Sequence, residues 1–322
     1  MKALVWHGDR RLVLEELPEP AADADEVVFE VAFAGICGSD LHPYRGHAGP
    51  RRPPLVLGHE AVGSVRGRAG RFALFPLVAC GSCPACARGE AQLCEHRGLV
   101  GLDRHGVFAE CVSVAADALV PIPEGLADEA AVLVEPLATA VSALRLERVI
   151  AGSALVVVGG GPIGLLTVYA SVLAGANVIA VEPLAHRREI ASRLGAADVL
   201  ADAADLPPRA ADVVVDAVGV EATWRAGVAA VRSGGSVCVV GLGQADGAMP
   251  MGELVRRGVT VRGHYAYTRD DFTAALEMLG HRPPPLDWLE VVGLDAAAEG
   301  FRRLVDEPET VTKVLVSIGD AL

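Results

Sequence analysis

The run Ala154-Leu155-Val156-Val157-Val158-Gly159-Gly160-Gly161-Pro162-Ile163-Gly164 decides how this 322-residue chain folds. Five apolar residues predict a buried strand over 154–158. The glycines after it fit G-x-G-x-x-G at the opening of a helix predicted over 162–174. In that context the glycines let the backbone approach a pyrophosphate, and the helix N-terminus offers N–H groups and positive dipole. Gly159, Gly161, Pro162, Ile163 and Gly164 are thus candidate dinucleotide contacts; the bland alternative is a tight turn with no cofactor. The next strand, 177–181, runs into Glu182, 18 residues after Gly164. A carboxylate there can bind both ribose hydroxyls of an adenosine and repels a 2′-phosphate, which favours NAD over NADP. Arg187 is either a further adenosine contact or a solvated helix charge.

Outward from this turn the alternation continues. Strands are predicted at 199–201, 213–216, 237–240 and 259–261, with helices at 184–194 and 222–231. Apolar strands alternating with helices indicate a parallel sheet covered on both faces. Residues before 125 read differently, as short strands at 3–6, 12–16, 27–34, 61–65, 72–77, 107–114 and 119–122 separated by Pro, Gly and Asp turns. That pattern predicts a barrel-like β domain. A helical stretch at 128–146, broken or begun at Glu135-Pro136, joins the two regions. A helix at 296–305 and a strand at 311–318 are expected to return to the first domain. The expected fold class is therefore α/β and β: a β-rich domain of residues 1–137 and 267–322, with a Rossmann doubly wound domain, 138–266, inserted.

With 52% hydrophobic residues the chain is globular rather than disordered. A net charge of −13, with Lys2 and Lys313 the only lysines, argues against nucleic acid as a partner. No apolar run approaches the ~20 residues of a membrane helix, and the start of the chain is too briefly apolar for a signal peptide. A cytoplasmic protein with no membrane partner is the expectation.

Four of the seven cysteines lie in 15 residues, as Cys80-x-x-Cys83-x-x-Cys86-x7-Cys94. Four thiolates on a short loop can close a tetrahedral zinc site, which has no open position and so serves structure. Iron–sulfur ligation and disulfides are the alternatives. A second cluster, Cys37-Gly38-Ser39-Asp40-Leu41-His42 followed by Gly58-His59-Glu60, places a thiol, imidazoles and carboxylates within 24 residues. Cys and His together suit a catalytic zinc, which keeps a position open. Glu135 adds a carboxylate at the junction, or caps a helix. Tyr44, Arg45 and His47 are polar candidates for the substrate cleft.

Taken in this order, the motifs resemble those of the zinc-dependent medium-chain dehydrogenases of the alcohol dehydrogenase superfamily, closest to their sorbitol, polyol and threonine branch. The resemblance spans nearly the whole chain and implies a GroES-like catalytic domain with a Rossmann domain. It implies two zinc ions, one held by Cys37 and His59 with Glu60 or Glu135, the other structural. Asp40 then orients His59, and Ser39 and His42 form a proton relay. The implied activity is oxidation of a secondary alcohol of a polyol, sugar or cyclitol to a ketone, with NAD as hydride acceptor. Threonine, amino-alcohol or simple-alcohol dehydrogenases are runner-up readings. Outside that class stand a zinc-independent quinone or enoyl reductase and a non-catalytic zinc- and nucleotide-binding protein. Relatives imply a homodimer or homotetramer joined at the nucleotide-domain sheet edge, near 249–261. The chain departs from the pattern in a contracted segment between Gly63 and the four-cysteine loop, and in a short region around 265–285.

Overall fold

Short apolar strands punctuated by turn residues build the first unit of this computed structural model, which describes residues 1–319. In chain order these are β1 (Lys2–Trp6), β2 (Leu12–Glu16), β3 (Glu26–Gly35), β4 (Leu55–Val56), β5 (Glu60–Val65), β6 (Arg68–Leu74), β7 (Leu77–Val78), β8 (Gly98–Leu99), β9 (Cys111–Ala115) and β10 (Leu119–Pro121). Helices α1 (Gly38–Tyr44) and α2 (Pro84–Ala87) interrupt them, and α3 (Asp128–Ala131) and α4 (Val134–Leu146) follow. Tertiary contacts divide the chain into Met1–Glu135 with Thr268–Leu322, and Pro136–Tyr267.

The ten-residue β3 organises the first unit. It pairs antiparallel with β5 and β9, and with the late strand β18 (Lys313–Ser317). Phe29, Val31, Trp6, Phe72, Phe108 and Phe301 fill the core between the sheets. The chain returns to this unit through α9 (Arg269–His281), β17 (Leu289–Gly293), α10 (Ala297–Asp306) and β18. Helix α9 is absent from the sequence reading although Thr268 and Asp271 cap it reciprocally. The strand expected at 72–77 ends at Leu74, and that expected at 107–114 begins only at Cys111.

The second unit is a six-stranded sheet in the order β13-β12-β11-β14-β15-β16, parallel throughout. Its strands are β11 (Ala154–Val158), β12 (Asn177–Val181), β13 (Asp198–Leu200), β14 (Ala211–Asp216), β15 (Val231–Val239) and β16 (Thr260–Gly263). Helices α5 (Pro162–Leu173), α6 (Ala185–Arg193), α7 (Glu221–Ala230) and α8 (Met251–Arg257) connect them. Strand order reverses between β11 and β14, so the glycine turn after β11 lies where doubly wound sheets open a ligand crevice. The sheet edge is β16, whereas much of 249–261 is helical. Among the described residues no helix is long and apolar enough to cross a membrane.

Candidate active site

Two turns bring the first cluster together. β3 ends at Gly35, and Cys37 is the N-cap residue of α1; His59 and Glu60 enter β5, the strand paired with β3. Ligand atoms of Cys37, His59 and Glu60 all lie within 4.8 Å of one another. Glu135 is not in that group, although it is buried and has a partner of its own. Gly35 makes the room: a Cβ there would stand 1.9 Å from Glu60 Oε2.

Asp40 is fully buried beneath the cluster. Its Oδ2 accepts a hydrogen bond from the Cys37 N–H at 3.1 Å, fixing the cap. Its Oδ1 stands 3.6 Å from His59 Nδ1 and 3.8 Å from Arg51 Nη2. Burial works against an imidazolium at His59, but Asp40 and Cys37 outweigh it, so His59 is held well above its ordinary value. The same negative neighbours favour a metal cation on this imidazole. Burial likewise works against the Asp40 carboxylate, but His59 and Arg51 hold it below its usual range.

Glu60 carries the feature that sequence did not reveal. Lys313, from β18, donates to Glu60 Oε2 and to the Ile36 carbonyl at 3.0 Å, and both side chains are 1% exposed. Glu60 Oε1 and Ser39 Oγ, both buried, make no hydrogen bond, while Asp40 Oδ1 and His59 Nδ1 face each other at 3.6 Å as an ion pair rather than a hydrogen bond. Buried polar atoms are rarely left without a hydrogen bond, and Glu60 Oε1 is such an atom on one of the three grouped donors, which indicates a ligand there. Thiol, imidazole and carboxylate form a donor set that suits zinc. Of the relay candidates, Ser39 is half-buried and His42 exposed on α1. Burial, then the charges of Arg45, Arg51 and His47, hold His42 below its ordinary 6.5. Tyr44, by contrast, is a core residue, 5% exposed, with its ring tilted at 53° against Phe301.

The four cysteines between β7 and β8 converge as well. Sγ separations are 3.5 Å for Cys83–Cys86, 3.5 Å for Cys80–Cys94 and 4.0 Å for Cys80–Cys86. A tetrahedral zinc with Zn–S bonds of about 2.3 Å has sulfur–sulfur edges of about 3.8 Å, so the loop fits that ion. The N–H groups of Ser82 and Cys83 point at Cys80 and lower its thiol to about 6. A thiolate is the form a metal binds. Cys111 and Cys238 are buried, and burial raises both thiols above their ordinary value.

In the second unit Gly159 adopts φ of +100°, and a Cβ on Gly164 would meet Gly159 O at 1.8 Å. Nothing lies within 4 Å of a Cβ on Gly161, which leaves that side of the turn open. Pro162 and Ile163 start α5 there. Glu182 is buried at the end of β12; its Oε2 accepts from Gly160 N–H at 2.6 Å and its Oε1 from Leu184 N–H at 2.9 Å. Arg187 is half-buried on α6, where burial pulls its guanidinium down and Glu182 opposes this. The turn thus presents an open glycine, a helix start and an anchored carboxylate, a fit for the diphosphate and ribose of a dinucleotide.

Comparison with known proteins agrees with this geometry. A family model described as alcohol dehydrogenase GroES-like domain matches residues 23–124, and one described as zinc-binding dehydrogenase matches residues 162–280. Sorbitol dehydrogenase of Bacillus subtilis is 35% identical over 267 residues, covering 75% of each chain. (R,R)-butanediol dehydrogenase of the same organism is 32% identical over 98% of this chain and 99% of its own. Among solved structures, alcohol dehydrogenase TADH from Thermus sp. ATN1 superposes with a TM-score of 0.91 at 28% identity, over 99% of this chain and 100% of that one. With both halves of the architecture matched, the chain belongs to the zinc-dependent medium-chain alcohol dehydrogenase family.

Proposed function

We propose that the protein oxidises a secondary hydroxyl of a polyol or sugar-type substrate to a ketone, and runs the reverse reduction, with NAD as the redox partner. The observation that carries this is the convergence of Cys37, His59 and Glu60, whose ligand atoms lie within 4.8 Å of one another with buried Glu60 Oε1 left without a hydrogen bond. The polyol class comes from the sorbitol and butanediol relatives.

Cys37, His59 and Glu60 would hold the catalytic zinc, and Cys80, Cys83, Cys86 and Cys94 a structural one, two ions per chain. Zinc at the first site supplies a Lewis acid for the substrate oxygen, and the nicotinamide supplies the hydride acceptor. Asp40 orients the His59 ring and balances charge beneath it. Lys313 fixes Glu60 Oε2 and leaves Oε1 for the ion. Ser39 Oγ takes the proton released from the substrate, and His42, neutral and exposed, passes it to solvent. Glu135 lies outside the donor group and is assigned a water-mediated role. Glu182 at the β12 end disfavours a 2′-phosphate, hence NAD rather than NADP. The exposed β16 edge, with Val261, Met251 and Val255 uncovered, supports a homodimer or a tetramer of such dimers.

The test is Cys37→Ser. Turnover with a polyol panel and NAD should vanish, one zinc per chain should be lost, and NADH binding should persist. Full activity in this variant would overturn the assignment.

A further inference from the structure

Each buried carboxylate beside the metal donors has a cation of its own. Lys313 serves Glu60 and Arg51 serves Asp40, and all four side chains are 7% exposed or less. Arginine is almost never fully buried unless it is paired, so the place of Arg51 needs a reason.

The Arg51 side chain reaches both arms of the donor set. Its Nη2 stands 3.8 Å from Asp40 Oδ1, and Asp40 Oδ2 in turn holds the Cys37 N–H at 3.1 Å. Its Nε donates to the Gly101 carbonyl at 3.2 Å. Gly101, at φ of +77°, packs backbone against backbone on Gly58; a Cβ there would stand 2.3 Å from the Gly58 carbonyl oxygen. Gly58 is the residue before His59. One guanidinium thus ties the turn that carries Cys37 to the turn that carries His59.

The same guanidinium sets the charge behind His59. Asp40 Oδ1 stands 3.8 Å from Arg51 Nη2 and 3.6 Å from His59 Nδ1, and is hydrogen-bonded to neither. A carboxylate behind a metal-bound imidazole makes that ligand a stronger donor. A cation on the same oxygen opposes this, since a buried charge is weakly screened. Asp40 with Arg51, and Glu60 with Lys313, cancel in pairs. With Cys37 as the thiolate that a metal binds, one negative charge remains on the donor set, and a divalent ion there keeps positive charge for the substrate oxygen.

We propose that Arg51 is a positioning residue of the reactive centre, which braces Asp40 and the Gly101–Gly58 contact and, by sharing Asp40 Oδ1 with His59, keeps the ion held by His59 electron-poor. The inference rests on the reading of Cys37, His59 and Glu60 as that centre. Lysine preserves the charge but lacks the planar fork that reaches Asp40 and Gly101 together.

The test compares Arg51→Gln, Arg51→Lys and the parent protein, all loaded with zinc. Affinity for each ion is read by competition with a chromophoric chelator, beside kcat, KM and the melting temperature with and without added zinc. Arg51→Gln should hold the catalytic ion about tenfold more tightly, because a cation has left its surroundings. Its kcat should fall at least tenfold while KM for NAD is unchanged. Without zinc it should melt lower than the parent, and added zinc should restore much of the difference. Arg51→Lys should keep the parental ion affinity and regain part of kcat. Looser ion binding in Arg51→Gln, as a merely structural role requires, overturns the inference, and so do parental affinity and kcat in both variants. Should Arg51→Gln fail to fold, Arg51→Lys decides: parental ion affinity supports the inference and a tenfold loss overturns it. Failure of the reading beneath it shows separately, as a zinc count that Cys37→Ser leaves unchanged.

Discussion

Lys313 and Glu60 form a fully buried ion pair. Each is 1% exposed, and Lys313 also holds the Ile36 carbonyl one residue before Cys37. Lys313→Met leaves a buried carboxylate unpaired and should cost about 3–5 kcal/mol of stability in the metal-free protein. If Glu60 is a zinc ligand, the ion replaces the lost cation, and the loss read by thermal denaturation shrinks once zinc is added; an equal loss with and without zinc argues for Glu135 instead. His42 gives a second prediction at this scale. Its imidazole titrates below 6.5, so turnover should hold down to that value and fall beneath it as the proton acceptor becomes charged. Across the same window the unfolded chain takes up the proton first, so stability also falls as pH falls. His42→Gln should flatten the acid limb of the pH–rate profile and lower turnover by roughly a hundredfold. The four clustered cysteines were legible in sequence because their spacing is their signal, whereas Cys37 and His59 are irregularly spaced and stood out only in combination with Ser39, Asp40, His42 and Glu60 and through the family resemblance. Lys313 was not, since it meets Glu60 across 253 residues and only the sheet topology unites them.

At the scale of the element, the glycine turn separates folding from binding. A methyl on Gly164 would lie 1.8 Å from the Gly159 carbonyl, where backbone cannot yield, whereas one on Gly161 meets nothing within 4 Å. Gly164→Ala should therefore lower stability by about 1–3 kcal/mol. Gly161→Ala should leave the melting temperature unchanged yet weaken NADH binding at least tenfold, because that open face is where a pyrophosphate approaches. Calorimetric titration beside thermal denaturation checks both, and a stable Gly161→Ala protein with native affinity would remove the turn from the cofactor site. This element was readable because β11, the glycines and α5 each carry a local signal that agrees with the next. α1 was not readable: seven residues with Gly38 at the start and Pro43 inside give no helical period, and its existence follows from the Cys37–Asp40 cap. Strand β17 and helix α8 were missed because each is short and half-exposed, so burial left little pattern in their residues.

The two sulfur-bearing sites differ in what the whole molecule lends them. Cys37 follows two residues after the end of β3, the strand on which β5, β9 and β18 pair, so the surrounding sheet sets the candidate donors Cys37, His59 and Glu60 near one another without an ion. The loop from Cys80 to Cys94 has the two-residue strands β7 and β8 at its base, and the single-turn α2 and a 3-10 turn at Ala91–Leu93 within it. Ala85 and Cys94 are buried, but no residue of the loop joins the large apolar cluster of the first unit. On the proposed reading its order comes from metal binding, as in small domains that cannot bury enough apolar surface. Cys86→Ser should accordingly reduce zinc from two ions per chain to one, with the remaining ion on Cys37, His59 and Glu60. The loop should become open to limited proteolysis between Ala79 and Arg97, while the sheets retain their far-ultraviolet dichroism. Loss of both ions, or a loop that resists protease without its metal, would show that core packing rather than zinc holds it.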